Sequence, residues 1–122
     1  MADKQNHLKM YSRFKNDAEN ETLFEGTRVE AYFLAAFHLI ESCAAKFRIH
    51  INKHQMVRSV LEKNRVIFGE RTEQVWRSFQ KIENHLRPKF VYGMTWSEQD
   101  FELMRSAFNE IENECEGIIR EG

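Results

Sequence analysis

The sequence predicts an all-α protein: an up-and-down four-helix bundle with an additional flanking N-terminal helix, five helices in total. Apolar residues recur at three- and four-residue steps along most of the chain, which is the spacing of one helix face. One proline and five glycines in 122 residues leave few positions that interrupt helical geometry. The connections between the periodic segments are short, and this favours antiparallel neighbouring helices.

The first two helices are predicted to have different roles. The first covers about residues 3 to 20 and has one narrow apolar face, so it is the flanking element. The second is predicted to begin at Thr27, because Thr27 and Glu30 have the spacing of a capping box. Its broad apolar surface predicts a central helix, and the repeating residues are Val29, Phe33, Ala36, Ile40, Cys43 and Phe47. Residues 48 to 52 break the pattern and predict a loop.

The third and fourth helices are bounded by glycine and proline. The third is predicted over about residues 54 to 68, where Gly69 ends it. The fourth is predicted to start at Thr72 and to end before Pro88, because a residue that precedes proline is disfavoured in helical geometry.

The fifth helix is predicted to follow a second capping box, formed by Thr95 and Glu98. It continues almost to the C-terminus, and its apolar side is formed by Phe101, Met104, Phe108, Ile111, Cys115 and Ile118. No internal repeat or linker suggests a second domain. Residues 1–122 are therefore predicted to form a single domain, with its core at about residues 28–120.

Composition limits the possible compartments and partners. The 18 basic and 19 acidic residues give a formal net charge of −1, so nucleic-acid binding would need a local basic patch. The first ten residues lack the apolar core of a signal peptide, and no apolar run approaches about 18 residues. These features predict a cytoplasmic protein without membrane contact. Cys43 and Cys115 are interpreted as two buried thiols, with a disulfide as the alternative.

The histidines do not predict a metal site. His50 and His54 are four residues apart, as in helical metal pairs, but Ile51 stands where zinc peptidases have a glutamate. No third ligand is suggested nearby, so neither a metal nor another cofactor is predicted. His38 is interpreted as a hydrogen-bonded histidine at the edge of the core.

Arg87 is the side chain with the strongest indication of function. It lies at the end of an amphipathic helix and precedes Pro88, Tyr92 and Gly93. A cation at this position is favoured by the helix dipole, which is a sufficient structural role. The functional alternative is phosphate binding, because the planar guanidinium can donate to two oxygens at once.

Three segments between about residues 28 and 115 read AYFLAAFHLIESCAAK, NKHQMVRSVLE and FQKIENHLRPKFVYG. Together they resemble the HEPN superfamily, the small helical-bundle domains of prokaryotic nucleotide- and RNA-related systems. The first is similar to the family's first core helix, and the second to its lysine–histidine turn and short helix. The third is similar to the later helix, which closes on an arginine, four intervening residues and an aromatic before a glycine.

The resemblance implies a helical bundle, usually a homodimer, with polar residues in a cleft at the subunit interface. In the ribonuclease members, an arginine is followed after four to six residues by a histidine. Arg87 matches that arginine, but Tyr92 stands in place of the histidine, and a phenol with a pKa near 10 is a poor general base. The resemblance therefore favours a non-catalytic member that binds nucleotide or RNA through Arg87, Tyr92, Lys53 and His54. Such members act with a partner such as a minimal nucleotidyltransferase.

Two alternatives stay open at this point. The first is a metal-independent endoribonuclease of the toxin–antitoxin type, in which a displaced histidine, His85 or His54, reaches the cleft. Its candidate catalytic residues are Arg87, Tyr92 and His85. The second is a purely structural dimerisation module, in which the polar turn only caps a helix.

Overall fold

The computed structural model describes residues 4–93 and 95–120, and this part of the chain contains helices and no strands. The helices are α1 (Lys4–Ala18), α2 (Glu25–Lys46), α3 (Val57–Lys63), α4 (Thr72–Gln80), α5 (Arg87–Val91) and α6 (Glu98–Arg120). A π-helical segment, Lys81–Leu86, joins α4 to α5 without a break, so these three pieces form one rod. The predicted all-α bundle of five helices is confirmed.

The predicted central position of α2 is also confirmed. This helix contacts α1, α4, α5 and α6. Its most deeply buried apolar residues are Val29, Phe33, Ala35, Ala36, Leu39, Ile40, Cys43 and Ala44. Helix α1 runs antiparallel along it, because His7 near the start of α1 contacts His38, while the Ala18 carbonyl accepts a hydrogen bond from Arg28 at 2.8 Å.

The α4–α5 rod is also antiparallel to α2. Phe79 of α4 stacks on Phe33, and Arg87 of α5 pairs with Glu30, one turn earlier on α2. The rod therefore brings its C-terminal end against the first turns of α2. No helix within the described residues is long and apolar enough to cross a lipid bilayer.

Helix α6 lies parallel to α2. Near the start of both helices the ring of Phe101 lies against Tyr32, and near their ends Cys43 Sγ donates to the Cys115 carbonyl at 3.5 Å. Both cysteines are free thiols and fully buried, which confirms the prediction of two buried thiols. Burial raises the pKa of Cys115 well above its usual value, so this thiol stays protonated.

The predicted start of α2 is wrong. The helix begins at Glu25, and no side-chain hydrogen bond caps it, so Thr27 lies inside the first turn. The first turn packs closely against α5. A Cβ atom at Gly26 would lie 2.9 Å from the Phe90 carbonyl oxygen, and glycine is the residue that permits this approach.

The start of α6 is shifted by two residues from the predicted capping box. Ser97 Oγ accepts a hydrogen bond from the Asp100 amide at 3.2 Å, and Asp100 Oδ2 accepts from the Ser97 amide at 3.0 Å. The box is therefore formed by Ser97 and Asp100, and not by Thr95 and Glu98. An aspartate can fill the role that the sequence pattern assigned to a glutamate, because its carboxylate also reaches the amide three residues back.

The predicted helix end before Pro88 is also wrong. The Arg87 amide donates to the carbonyl of Ile82, five residues earlier, which is the wider hydrogen-bond register of a π helix. Pro88 then falls in the first turn of α5, where proline is favoured because its fixed φ suits the start of an α-helix. The helix therefore continues to Val91.

The third helix is shorter than predicted. Helix α3 ends at Lys63, and the Asn64 side chain donates to the Val60 carbonyl at 2.8 Å, which satisfies a carbonyl in the last turn. Ile67 is nevertheless buried in the turn that follows. Thr72 begins α4 as predicted, although its hydroxyl donates to the Gly69 carbonyl at 2.6 Å and does not accept from a helix amide.

Candidate functional site

One surface groove brings together three of the residues that the sequence singles out: His54, Arg87 and Tyr92. It lies between the 3₁₀ turn that precedes α3 and the α4–α5 rod, and its volume is about 450 Å³. We call it the polar groove, and its lining consists of His54, Gln55, Gln80, Glu83, Asn84, Arg87, Pro88 and Tyr92. The extension of the helix through Pro88 is what carries Tyr92 to this groove.

Arg87 is held in place by contacts with Glu30 and Phe33 of α2. Its Nε donates to both carboxylate oxygens of Glu30, at 2.9 and 3.1 Å, and its guanidinium carbon lies 4.6 Å from the centre of the Phe33 ring. The hydrogen bond that Arg87 donates to Glu30 raises the pKa of Arg87 further, so the side chain remains charged. Within residues 4–93 and 95–120, the hydrogen bonds of this side chain come from Nε. Its two amino groups are therefore the donors available to a ligand.

His54 is oriented by a carboxylate. Its Nδ1 pairs with Glu83 of the π-helical segment, and its ring lies edge-on to Phe33, with 5.0 Å between ring centres. A neutral imidazole that donates from Nδ1 presents Nε2 as an acceptor. Phe33 thus packs against both His54 and Arg87.

The other predicted residues differ in their positions. Tyr92 follows α5 and is 65% exposed, so its ring is accessible at the edge of the polar groove. Lys53 and His85 are exposed and lie outside the lining of the groove. The structure therefore brings Arg87, Tyr92 and His54 together and leaves Lys53 and His85 apart from them.

Gln80, Glu83 and Asn84 line the groove and were not predicted from the sequence. Gln80, Glu83, Asn84 and Arg87 are spaced three and four residues apart along the rod, which places them on one side of a helix. That spacing was the available signal for a shared polar face. Glu30 gave no such signal, because its contact with Arg87 depends on the packing of α5 against α2.

A more apolar groove of about 380 Å³ lies on the other side of Glu30. It runs between α1, the first turns of α2 and the end of α5, and its apolar lining includes Phe14, Phe24, Leu34 and Val91. Its polar side chains, apart from Glu30, are Asp17 and Thr27. It therefore lacks the combination of cation, imidazole and amides that the polar groove contains.

No protein-family model, curated protein or solved structure matches the chain. The chemistry of the polar groove is therefore interpreted from its own side chains. A guanidinium with free amino groups can bind phosphate oxygens, an exposed phenol ring can stack on a base, and an oriented imidazole can accept a proton.

Proposed function

We propose that the chain is a HEPN-like domain that binds a nucleotide or unpaired RNA in the polar groove and acts with a partner protein. The observation that carries the proposal is the convergence of Arg87, Tyr92 and His54 in one open groove. The helical bundle and the order of the three HEPN-like segments agree with it.

Each part of such a ligand has a matching group in the polar groove. The amino groups of Arg87 suit two phosphate oxygens, since the guanidinium is planar and Glu30 holds its position. The ring of Tyr92 offers a stacking surface for a base. The amides of Gln80 and Asn84 provide both donors and acceptors for base edges.

The balance of charges narrows the class of ligand. Glu30 neutralises Arg87 and Glu83 pairs with His54, so the groove carries no excess of positive charge. Duplex binding depends on many simultaneous phosphate contacts, which a neutral groove of about 450 Å³ does not offer. A mononucleotide or a few unpaired nucleotides therefore fits better than a duplex.

Replacement of Arg87 tests the proposal. We expect Arg87→Ala to weaken binding roughly 10- to 150-fold, because a hydrogen bond to a charged group contributes about 1.5–3 kcal/mol. The measurement is calorimetric titration with nucleoside mono- and triphosphates and with a short single-stranded RNA. Arg77→Ala is the matched control, since Arg77 is exposed on α4 and pairs with Glu73 outside the groove.

Two results would contradict the binding proposal. One is the absence of saturable binding by the wild-type protein to any of these probes. The other is equal affinity in Arg87→Ala and wild type. Either result would favour the structural alternative, in which Arg87 serves only to pair with Glu30 and to complete the end of the bundle.

A second candidate function is metal-independent cleavage of RNA, and the orientation of His54 by Glu83 favours it. In this reaction Nε2 of His54 takes the proton of a 2′-hydroxyl, whose oxygen attacks the adjacent phosphorus as the bond to the 5′-oxygen breaks. Arg87 stabilises the charge that develops on the phosphate oxygens. The leaving 5′-oxygen receives a proton from the Tyr92 hydroxyl or from water. His54 thus supplies the imidazole that the motif lacks at position 92.

The proposal also includes the oligomeric state, the partner and the cellular location of the domain. The resemblance to HEPN domains supports a homodimer and a partner such as a minimal nucleotidyltransferase. It also supports a cytoplasmic location, where such partners and RNA are found together. None of these three points depends on which of the two candidate activities the polar groove has.

A further inference from the structure

Three side chains of metal-ligand type converge between α1 and α2: His7, His38 and Glu41. The Nδ1 atoms of the two histidines are 3.1 Å apart, and Glu41 Oε1 lies 3.6 Å from His7 Nδ1 and 3.5 Å from His38 Nδ1. His38 and Glu41 are three residues apart on α2, and the antiparallel packing of α1 adds His7. This cluster is separate from the polar groove, since Glu41 lies about 16 Å beyond Glu30 along α2 at 1.5 Å per residue.

A hydrogen bond accounts for the 3.1 Å between the two Nδ1 atoms, but not for the two distances from Glu41. Hydrogen bonds between nitrogen and oxygen usually measure about 2.7–3.2 Å, and both distances from Glu41 are longer than that. In a tetrahedral shell with metal–ligand bonds of about 2.0–2.1 Å, neighbouring ligand atoms are about 3.3–3.4 Å apart. The three separations in the cluster lie on either side of this value. A single ion bound at about 2.0–2.1 Å from each of the three atoms is therefore compatible with all three separations.

The surroundings of the cluster also suit a cation. His7 and Glu41 are only 5% and 6% exposed, and the Phe14 ring stacks on His38. Burial raises the pKa of Glu41 to about 7, and burial and the neighbouring His7 lower the pKa of His38. A buried carboxylate without a counter-charge is unfavourable, so a divalent ion would stabilise this arrangement.

We propose that His7, His38 and Glu41 form a binding site for a divalent transition-metal ion, with zinc as the best fit, which ties α1 to α2. Two imidazole nitrogens and one carboxylate oxygen are a ligand set that zinc uses, with water in the fourth position. Magnesium and calcium prefer shells made of oxygen atoms, so they fit the cluster less well. This site is not apparent in the sequence, because His7 and His38 are 31 residues apart and meet only in the folded bundle.

Calorimetric titration of the chelator-treated protein with zinc chloride tests the site. We expect one zinc ion per chain and no comparable binding of magnesium. Loss of a side chain that hydrogen-bonds to a metal ligand usually costs about 10- to 100-fold in metal affinity. His38→Ala and Glu41→Gln remove a ligand itself, so they should weaken zinc binding by more than about 100-fold. His50→Ala is the control and should bind zinc like wild type, because His50 is exposed in the loop after α2.

A second measurement covers the case in which a variant fails to fold. Circular dichroism reports whether each metal-free variant keeps its helices, and cobalt bound to the wild type should give the visible absorption of a tetrahedral complex. Absence of saturable zinc binding by the wild type would overturn the proposal, as would unchanged affinity in a folded Glu41→Gln protein. Loss of zinc binding in His54→Ala alone would place the ion at the polar groove and also overturn it. Arg87→Ala should leave zinc binding unchanged, so this site and the groove are tested independently.

Discussion

Phe33→Ala is expected to destabilise the protein by about 3–5 kcal/mol, because it removes a large buried ring and leaves a cavity that the neighbouring helices fill only in part. Phe33 is 1% exposed and stacks on Phe79, which fixes the α4–α5 rod against α2. Its ring also supports the guanidinium of Arg87 and the edge of His54. The same substitution should therefore loosen the polar groove and weaken ligand binding.

Urea unfolding followed by circular dichroism measures this effect. Phe24→Ala is the matched control: Phe24 is 65% exposed, so its loss should change the free energy of unfolding by no more than about 0.5 kcal/mol. A Phe33→Ala protein whose free energy of unfolding lies within about 1 kcal/mol of wild type would contradict the packing described for α2. Replacement of a fully buried phenylalanine by alanine rarely destabilises a protein so little.

His54→Ala is expected to reduce RNA cleavage by about 10²- to 10⁴-fold, if the polar groove cleaves RNA, because a positioned general base contributes an effect of this size. The pairing of His54 with Glu83 supports the role, since it fixes the ring through Nδ1 and leaves Nε2 outside that pair. The assay uses a fluorescently labelled single-stranded RNA with a chelator present, so that a metal ion at the α1–α2 cluster cannot contribute.

Two further variants separate the roles of the histidines. His85→Ala should keep wild-type activity, because His85 lies outside the lining of the groove. Glu83→Gln should give a smaller loss than His54→Ala, since it keeps the size of the side chain but weakens the orientation of the imidazole. Full activity in a folded His54→Ala protein excludes this mechanism. Lack of cleavage by the wild type leaves binding as the function of the groove.

The helices were predictable because their signals are local. Apolar spacing located each of the five, and the breadth of the apolar surface on α2 indicated its central position. The ends were less predictable, and Pro88 shows why. Proline normally ends a helix, but the π-helical register before it removes the conflict with the preceding backbone. That register depends on how the rod packs, which local sequence rules do not include.

The candidate site was only partly predictable for the same reason. Arg87 and Tyr92 belong to one short segment, so the sequence alone could suggest that they act together. The pairing of His54 with Glu83 joins residues 29 positions apart, and it needs the folded bundle. His38 was interpreted as a histidine at the core edge, and its contact with His7 depends on where α1 packs. Tertiary packing, and not residue type, determines which polar side chains meet.

Nuclear magnetic resonance titration tests the central claim, that the polar groove binds nucleotide or RNA. The ¹⁵N-labelled protein is titrated with the tightest-binding probe from calorimetry, and the amide shifts are mapped onto the fold. The claim predicts that the largest changes lie at His54, Gln55 and residues 80–92 and that they disappear in Arg87→Ala. Changes centred on His7, His38 and Glu41 or on the apolar groove, with residues 80–92 unaffected, would contradict it.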